Sequence, residues 1–347
     1  MSASVLSAPL VLLSQVLTDH IAPQATAIDQ DPKVLQTAFQ RLGQHNFLGL
    51  KAPKTWGGRG WSAAERYRFV EQVTRHSGAL AFLHAQHERC IHELVTSDNT
   101  DLQTQYLTAA INGTVGLGVG FSHLRRPQQP ITATEQSGGY VFNGTVPWIT
   151  GFGIFDHWML AAQLPDGRAA VVLAPFQAID NAITFSAPMG LAALESTQTV
   201  TATLNNWYAS PELVLDIKPA GWIQECDRTY PLTHNFFALG CAQAGLDILQ
   251  KSPTGANAYN QLQREVDQCR TDTYDTLETP SPERIRLRAW AIELAVRCAH
   301  AAVIVSRGAA NLAHHPAQRV YREALAFSVS GQSTPVMDAS LEHILHR

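Results

Sequence analysis

Apolar and polar positions along the chain change their period twice. Up to about residue 112 the spacing is helical. Asp31 and Pro32 read as an N-cap and a first-turn proline. Val34, Leu35, Ala38, Phe39 and Leu42 follow on one face, and Gly43 stands where a helix should stop. Ser62 and Glu65 spell a capping box opening a helix through Phe69, Val70 and Val73. Helix is predicted again over 79–95 and 101–111, and the glycine-rich stretch 54–61 is too irregular for a strand. Around residue 113 alternation takes over. Strands are predicted over 114–122, 131–135 and 140–147, with turns at 137–139 and 143–144. A hairpin is predicted from 155–164 and 168–174, and 197–204 alternates cleanly. After Pro219 the helical period returns over 230–249, 259–276, about 281–307 and 316–329. The third of these is apolar nearly all round, which predicts burial between neighbouring helices. The pattern divides the chain into a helical domain over 1–112, a β-domain over 113–215 and a helical domain over 216–347.

Composition narrows the function classes. Of 347 residues, 45% are apolar and only 16% are charged, which favours large buried interfaces over disorder. The net charge of −4 without basic runs argues against a nucleic-acid partner. Cys90, Cys226, Cys241, Cys269 and Cys298 are odd in number and none pair as C-x-x-C. Disulfides are therefore not expected, and a reducing cytoplasm is. The apolar run at 9–13 lacks the basic flank and small-residue cleavage site of a signal peptide. No uninterrupted apolar stretch approaches the ~20 residues that span a bilayer, so a soluble chain without a membrane partner is expected.

Several motifs favour dull readings. Gly116, Gly118 and Gly120 do not open a helix within a βαβ unit, so a glycine-bearing strand is expected rather than a dinucleotide loop. His84, His87 and His92 fall near one helical face, but no fourth ligand at a familiar spacing accompanies them. A polar helix surface is expected, and no metal. Hydrolase and nucleotide-triphosphatase motifs are absent. The most informative segment is 140–151, a strand carrying Trp148, Ile149 and Thr150. Trp148 suits either a sandwich core or one face of a flat heteroaromatic ring, with a nearby hydroxyl bonding that ring's edge.

Segment 140–151 resembles the "G-Y-x-L-N-G-x-K-x-W-I-T-N/G" stretch of the acyl-CoA dehydrogenase superfamily, and four further stretches follow in the family's order. Residues 48–62 resemble its "G-x-x-x-P-E-x-Y-G-G-x-G", and 189–206 its second β-domain stretch. Residues 227–231 resemble the entry to its first C-terminal helix, and 315–323 its "Y-P-x-x-R-x-x-R-D". The resemblance implies an α+β fold with N-terminal helices, a central β-barrel and a C-terminal helical bundle. It also implies FAD as cofactor, with Trp148 and Thr150 against the flavin ring and Phe121 and Ser122 contributing from the preceding strand. Further implications are a homodimer or homotetramer, a small-molecule substrate such as an acyl-CoA, and an electron-transfer flavoprotein or reductase as electron partner.

The departures bear on mechanism. Residues 120–127 replace the family's "T-E-P-x-A-G-S-D". The glutamate that removes the α-proton would fall at Gly331, or in some members at Thr233 or His234, and none is a carboxylate. Tyr230 stands where an arginine is expected, and 251–255 lack the loop that reaches a neighbour's FAD. Glu323 is expected to pair with Arg319 or Arg322. His234 is a candidate base, and His123, beside Arg125 and Arg126, a candidate for stabilising an anionic flavin or a phosphate. The leading expectation is a flavin-dependent oxidoreductase acting on an acyl thioester. The alternatives are a flavin-dependent monooxygenase on the same fold and a non-catalytic scaffold or partner subunit.

Overall fold

The helix-start signals near the N-terminus are local, and the backbone follows them. The computed structural model describes residues 8–278 and 281–345. It opens with α1 (Ala8–Val16), α2 (Ala25–Gln30), α3 (Pro32–Gln44), α4 (Ala63–His76), α5 (Gly78–Thr96) and α6 (Thr100–Asn112). The Asp31 carboxylate caps α3 by accepting from the Lys33 amide at 2.8 Å. Ser62 and Glu65 complete both halves of the capping box on α4. Gly43 sits inside the last turn of α3, not beyond it. The apolar run at 9–13 belongs to α1, while residues 1–7 lie outside the described residues.

The middle of the chain supplies β1 (Leu117–Gly120), β2 (Ile131–Gln136), β3 (Gly139–Ile149), β4 (His157–Gln163), β5 (Ala169–Pro175), β6 (Ile183–Phe185), β7 (Val200–Ala209) and β8 (Val214–Lys218). They form one eight-stranded sheet in the order β6-β7-β3-β2-β4-β5-β8, with β1 parallel to β4. The barrel expected for this region is this sheet; β6 and β8 end its path and are not paired with each other among the described residues. Strands β4 and β5 are unbroken apolar runs because both their faces are buried. Trp158, Leu160, Ala170 and Val172 join the core shared with β3 and β7. Met159, Ala161, Val171 and Leu173 pack instead with Ile91 and Leu94 of α5 and Leu107 of α6.

The predicted turn at Asn143–Gly144 is absent, because β3 runs straight through it. Gly144, at φ +124°, marks a register shift against β7, and the Asn143 side chain bridges it by accepting from the Asn206 amide at 2.7 Å. Gly118 and Gly120 lie on β1 and Gly116 just before it; a Cβ at Gly116 would come within 2.4 Å of the Phe155 ring and one at Gly120 within 2.6 Å of Trp158.

The C-terminal part comprises α7 (Trp222–Thr229), α8 (Asn235–Leu249), α9 (Ala256–Asp275), α10 (Glu283–Ser306), α11 (Pro316–Val329) and α12 (Thr334–Leu345). Helix α8 begins at Asn235, five residues later than its sequence period suggests, because residues 231–234 form turns. It threads between α4 and α10 with no room to spare. A Cβ on Gly240 would lie 2.4 Å from the Glu71 carbonyl, and one on Gly245 within 2.6 Å of the Cys298 backbone. The segment Glu283–Asn311, which contains α10, is long and apolar enough to cross a membrane by length and composition, although Glu293 and Arg297 interrupt its apolar run. In this fold it is the helix around which the bundle packs, touching α8, α9, α11 and α12, with Leu287, Ala291, Leu294 and Cys298 buried.

One buried carboxylate joins the two helical parts. Glu323 on α11 is fully buried, and its Oε1 accepts from Arg319 at 2.7 Å and from the Gly78 amide, the first residue of α5, at 3.0 Å. Burial pushes its pKa up, and Arg319 opposes that shift. Next to it, Arg322 pairs with the buried Asp29 of α2 at 2.6 Å. Gly78 is obligatory at this contact, since a Cβ there would lie 2.7 Å from the Glu323 carboxyl carbon. A buried histidine makes a second join. His87 Nε2 donates to the Ala110 carbonyl at 3.0 Å, while its Nδ1 accepts from the Leu117 amide at 3.0 Å, linking α5 to the end of α6 and the start of β1.

Two outcomes follow. Glu323→Ala strands a buried guanidinium and should cost about 3–5 kcal/mol of unfolding free energy, read from urea midpoints. Burial lowers the His87 pKa from 6.5 to about 3, so the unfolded chain takes up the proton first. Its contribution to stability is complete above pH 6.5 and is lost as pH falls toward about 3, at up to roughly 1.4 kcal/mol per pH unit. His87→Gln should flatten that slope in pH-dependent melting curves; an unchanged slope would assign it to other groups.

Candidate active site

A cavity of about 790 Å³ opens where the end of β3, the turn after β1, the loop 191–199, the α7–α8 junction and helices α4, α5 and α11 meet. Most of its wall is apolar, with Phe82, Phe121, Trp148 and Phe237 among the contributors.

The sheet side of this wall is built by irregularities. Strand β3 shifts register against β7 between Val146 and Ile149, at Pro147, which has no amide to give the ladder. The shift turns Trp148 outward, leaving it 47% exposed on the cavity wall while Ile149 is fully buried. The core tryptophans of the sheet are Trp158 and Trp207 instead. Thr150 reaches the same cavity, its hydroxyl 3.1 Å from that of Thr199. Phe121 and Ser122 also line it, Ser122 as the first residue of a 3-10 turn. The structure therefore brings Phe121, Ser122, Trp148, Thr150 and His234 to one cavity.

His123 is not among them. It is 1% exposed, its Nε2 is bonded to the Ala161 carbonyl at 2.9 Å, and burial lowers its pKa to about 4. A neutral ring turned into the sheet cannot stabilise an anion in the cavity, so the expectation for His123 is corrected. The helix-face histidines have structural partners too: His84 bonds the Phe47 carbonyl at 2.7 Å, and His87 makes the join described above. His84 and His92 line the cavity, and His87 does not.

On the helical side, His234 precedes α8 and its Nδ1 lies 3.1 Å from the Ser330 hydroxyl. Burial, with Arg288 and Arg125 nearby, lowers its pKa to about 3, so the ring is neutral at physiological pH. Its edge rests on Gly331. A Cβ at 331 would lie 2.4 Å from His234 Cδ2, and the glycine's φ of +62° disfavours any other residue. Two of the three sequence positions at which a carboxylate was sought, 234 and 331, are therefore in contact, and the imidazole occupies the space.

Two carboxylates do line the cavity: Asp227, paired with Arg125 at 2.7 Å, and Glu88 of α5, which the sequence reading passed over. Glu88 accepts from the backbone amides of Leu50 at 3.1 Å and Lys51 at 2.7 Å, and burial raises its pKa to about 7. The signal lay in the histidine-rich helix: Glu88 sits one turn from both His84 and His92.

Comparison with known proteins agrees with this architecture. Residues 12–114 match the family model for the acyl-CoA dehydrogenase N-terminal domain. Mitochondrial isovaleryl-CoA dehydrogenase of Bos taurus is 30% identical over 148 residues, covering 40% of this chain and 34% of that protein. The chain thus aligns with about a third of the length of that curated relative. The fold similarity is wider. The glutaryl-coenzyme A dehydrogenase–glutaryl-CoA complex superposes with a TM-score of 0.84 at 19% identity, over 100% of this chain and 98% of that one. The FAD complex of PigA gives 0.82 at 15% identity over 99% of both. Residues 12–114 thus carry an acyl-CoA dehydrogenase N-terminal domain, and the whole chain shares the fold of the acyl-CoA dehydrogenases it superposes on.

Proposed function

We propose that the protein is a flavin-dependent oxidoreductase that holds FAD in this cavity and oxidises an acyl thioester between its α and β carbons. The observation that carries the reading is the half-exposed indole of Trp148 on the wall of a largely apolar cavity, with Thr150, Phe121 and Ser122 beside it. The fit is chemical as well as spatial. A flat ring system needs an aromatic face to rest on and hydroxyl donors at its edge, and these side chains supply both. Trp148 would cover one face of the ring, and Thr150 and Ser122 would bond its edge. When bound, FAD supplies the hydride acceptor.

The chain's own residues do the rest. His234 is neutral; with Nδ1–H donated to the Ser330 hydroxyl, its Nε2 would take the α-proton, and the pKa of about 3 makes it a weak base for that step. Phe82 and Phe237 would keep water from the reacting carbons. A second reading, flavin-dependent monooxygenation, is favoured by one observation: no carboxylate stands at 233, 234 or 331, and oxygen chemistry needs none there. The partners in this reading are a thioester, an electron-transfer flavoprotein or reductase, and further copies of the chain. Exposed Leu325, Val329, Leu341 and Ile344 on α11 and α12 support self-association. Five free cysteines, four of them buried, suit a reducing cytoplasm.

The purified protein, mixed with FAD and freed of excess, should keep a visible flavin band. Trp148→Ala should weaken FAD retention at least tenfold without moving the melting temperature of the flavin-free protein. Full retention by the variant, or no band in a folded parent, would overturn the cofactor site and leave the scaffold reading. Under anaerobic conditions an acyl-CoA should bleach the band, and His234→Asn should slow bleaching on the order of 10²-fold with flavin retention unchanged. A band that resists every acyl-CoA, but once reduced reoxidises rapidly in air, would instead establish the monooxygenase reading.

A further inference from the structure

The cavity has a polar wall that the proposed reaction does not use. The loop 48–53, α4 and α5 contribute Lys51, Arg66, Glu88, Arg89 and His92 to it. Its charges are unevenly satisfied. Arg89 is spent on Glu93 at 2.7 Å, with its guanidinium lying over the rings of Phe121 and Trp222. Lys218 is shared between Glu93 and Asp216. Glu88 is the remaining carboxylate on this wall, and its two oxygens are taken by the Leu50 and Lys51 amides.

That leaves Lys51 and Arg66. The Lys51 ammonium donates to His92 Nε2 at 2.8 Å, a neutral partner. Arg66 makes one long hydrogen bond, from Nη1 to the Trp61 carbonyl at 3.3 Å, and has no ion pair among the described residues. Burial first, then repulsion from Arg66 and Arg89, lowers the Lys51 pKa to about 8 against the attraction of Glu88 and Glu93. Two cations on one cavity wall, neither in an ion pair among the described residues and with Glu88 already bonded to backbone, leave a site that favours entry of an anion. An arginine fork with free N–H groups next to an ammonium matches a carboxylate in both charge and shape.

We propose that Lys51 and Arg66 form a subsite for a carboxylate at the far end of the acyl group, so that the preferred substrate is the thioester of a dicarboxylic acid. This rests on the thioester reading of the cavity and specifies its substrate class. Glu88 holds the Lys51 backbone against α5 and so positions the ammonium, while His92 fixes its direction. The phosphates of coenzyme A carry the same anionic chemistry, and the test separates the two sources.

The flavin-loaded protein is titrated with succinyl-, glutaryl- and adipyl-CoA and with the chain-matched butyryl-, pentanoyl- and hexanoyl-CoA, and Kd is read from perturbation of the flavin band. At one chain length the dicarboxylic thioester should bind at least tenfold more tightly than its monoacid match. Arg66→Gln should reduce that ratio to below threefold, and Lys51→Met should reduce it in the same direction. Two variants on different elements guard against a local folding defect, which flavin retention and melting temperature report. Equal binding of both series, or a ratio unmoved by both variants, would overturn the proposal. Equal weakening of both series by Arg66→Gln would assign the cations to coenzyme A phosphates and overturn it as well. If none of the six thioesters perturbs a bound flavin, the thioester reading itself fails, a result distinct from a lost preference between series.

Discussion

The carboxylate of Glu323 closes the structure. It sits at full burial on α11, with Arg319 on one side and the first amide of α5 on the other, so that a C-terminal helix directly neutralises the N-terminus of an N-terminal one. Such a charge is tolerated only while both partners stay in place. The cavity depends on this, because its walls belong to elements that are distant in the chain. Helices α4 and α5 come from the first third, the Trp148 wall from the middle, and His234 and Gly331 from the last third. Close packing of Gly240 and Gly245 holds α8 between them, and the Arg322–Asp29 pair adds a second fastening of α11 to α2. The geometry of the cavity is thus a by-product of how three separately encoded parts are pinned together.

Much of this was legible because the signals were local. Capping at Asp31 and Ser62, the hairpin at 165–167 and the bounds of α11 are carried by side chains within a few residues of the feature they specify. Glu323 was expected to pair with Arg319 or Arg322, and it takes Arg319. The misses have a common cause. Strands β6 and β8 are too short for alternation to show, and each exists because a longer strand offers it an edge. Asn143–Gly144 has turn composition, yet its geometry is that of a bulge, since strand β7 across the sheet supplies the partners that a hairpin would have supplied locally. Apolar α10 has the length of a membrane span and the packing of a bundle centre, which only its neighbours can decide.

The site was legible in the same uneven way. Five of the six residues singled out line one cavity: Trp148 and Thr150 at the end of β3, Phe121 and Ser122 after β1, and His234 before α8. His123 failed because adjacency in sequence says nothing about which side of a strand end a ring will take, and a free carbonyl at Ala161 claimed it. Glu88, Lys51 and Arg66 escaped notice for a different reason. Each is unremarkable within its own segment, and their electrostatic conflict exists only once loop 48–53 lies against α4 and α5.

The contact between His234 and Gly331 also constrains how this chain can change. A glutamate introduced at 331 would meet the imidazole before it met a substrate, and a left-handed backbone would resist it further. Removing the imidazole first opens the space, so the order of substitution decides whether an intermediate sequence folds. Residues 234 and 331 therefore form an epistatic pair: the chain can reach a carboxylate at the second position only by giving up the histidine at the first.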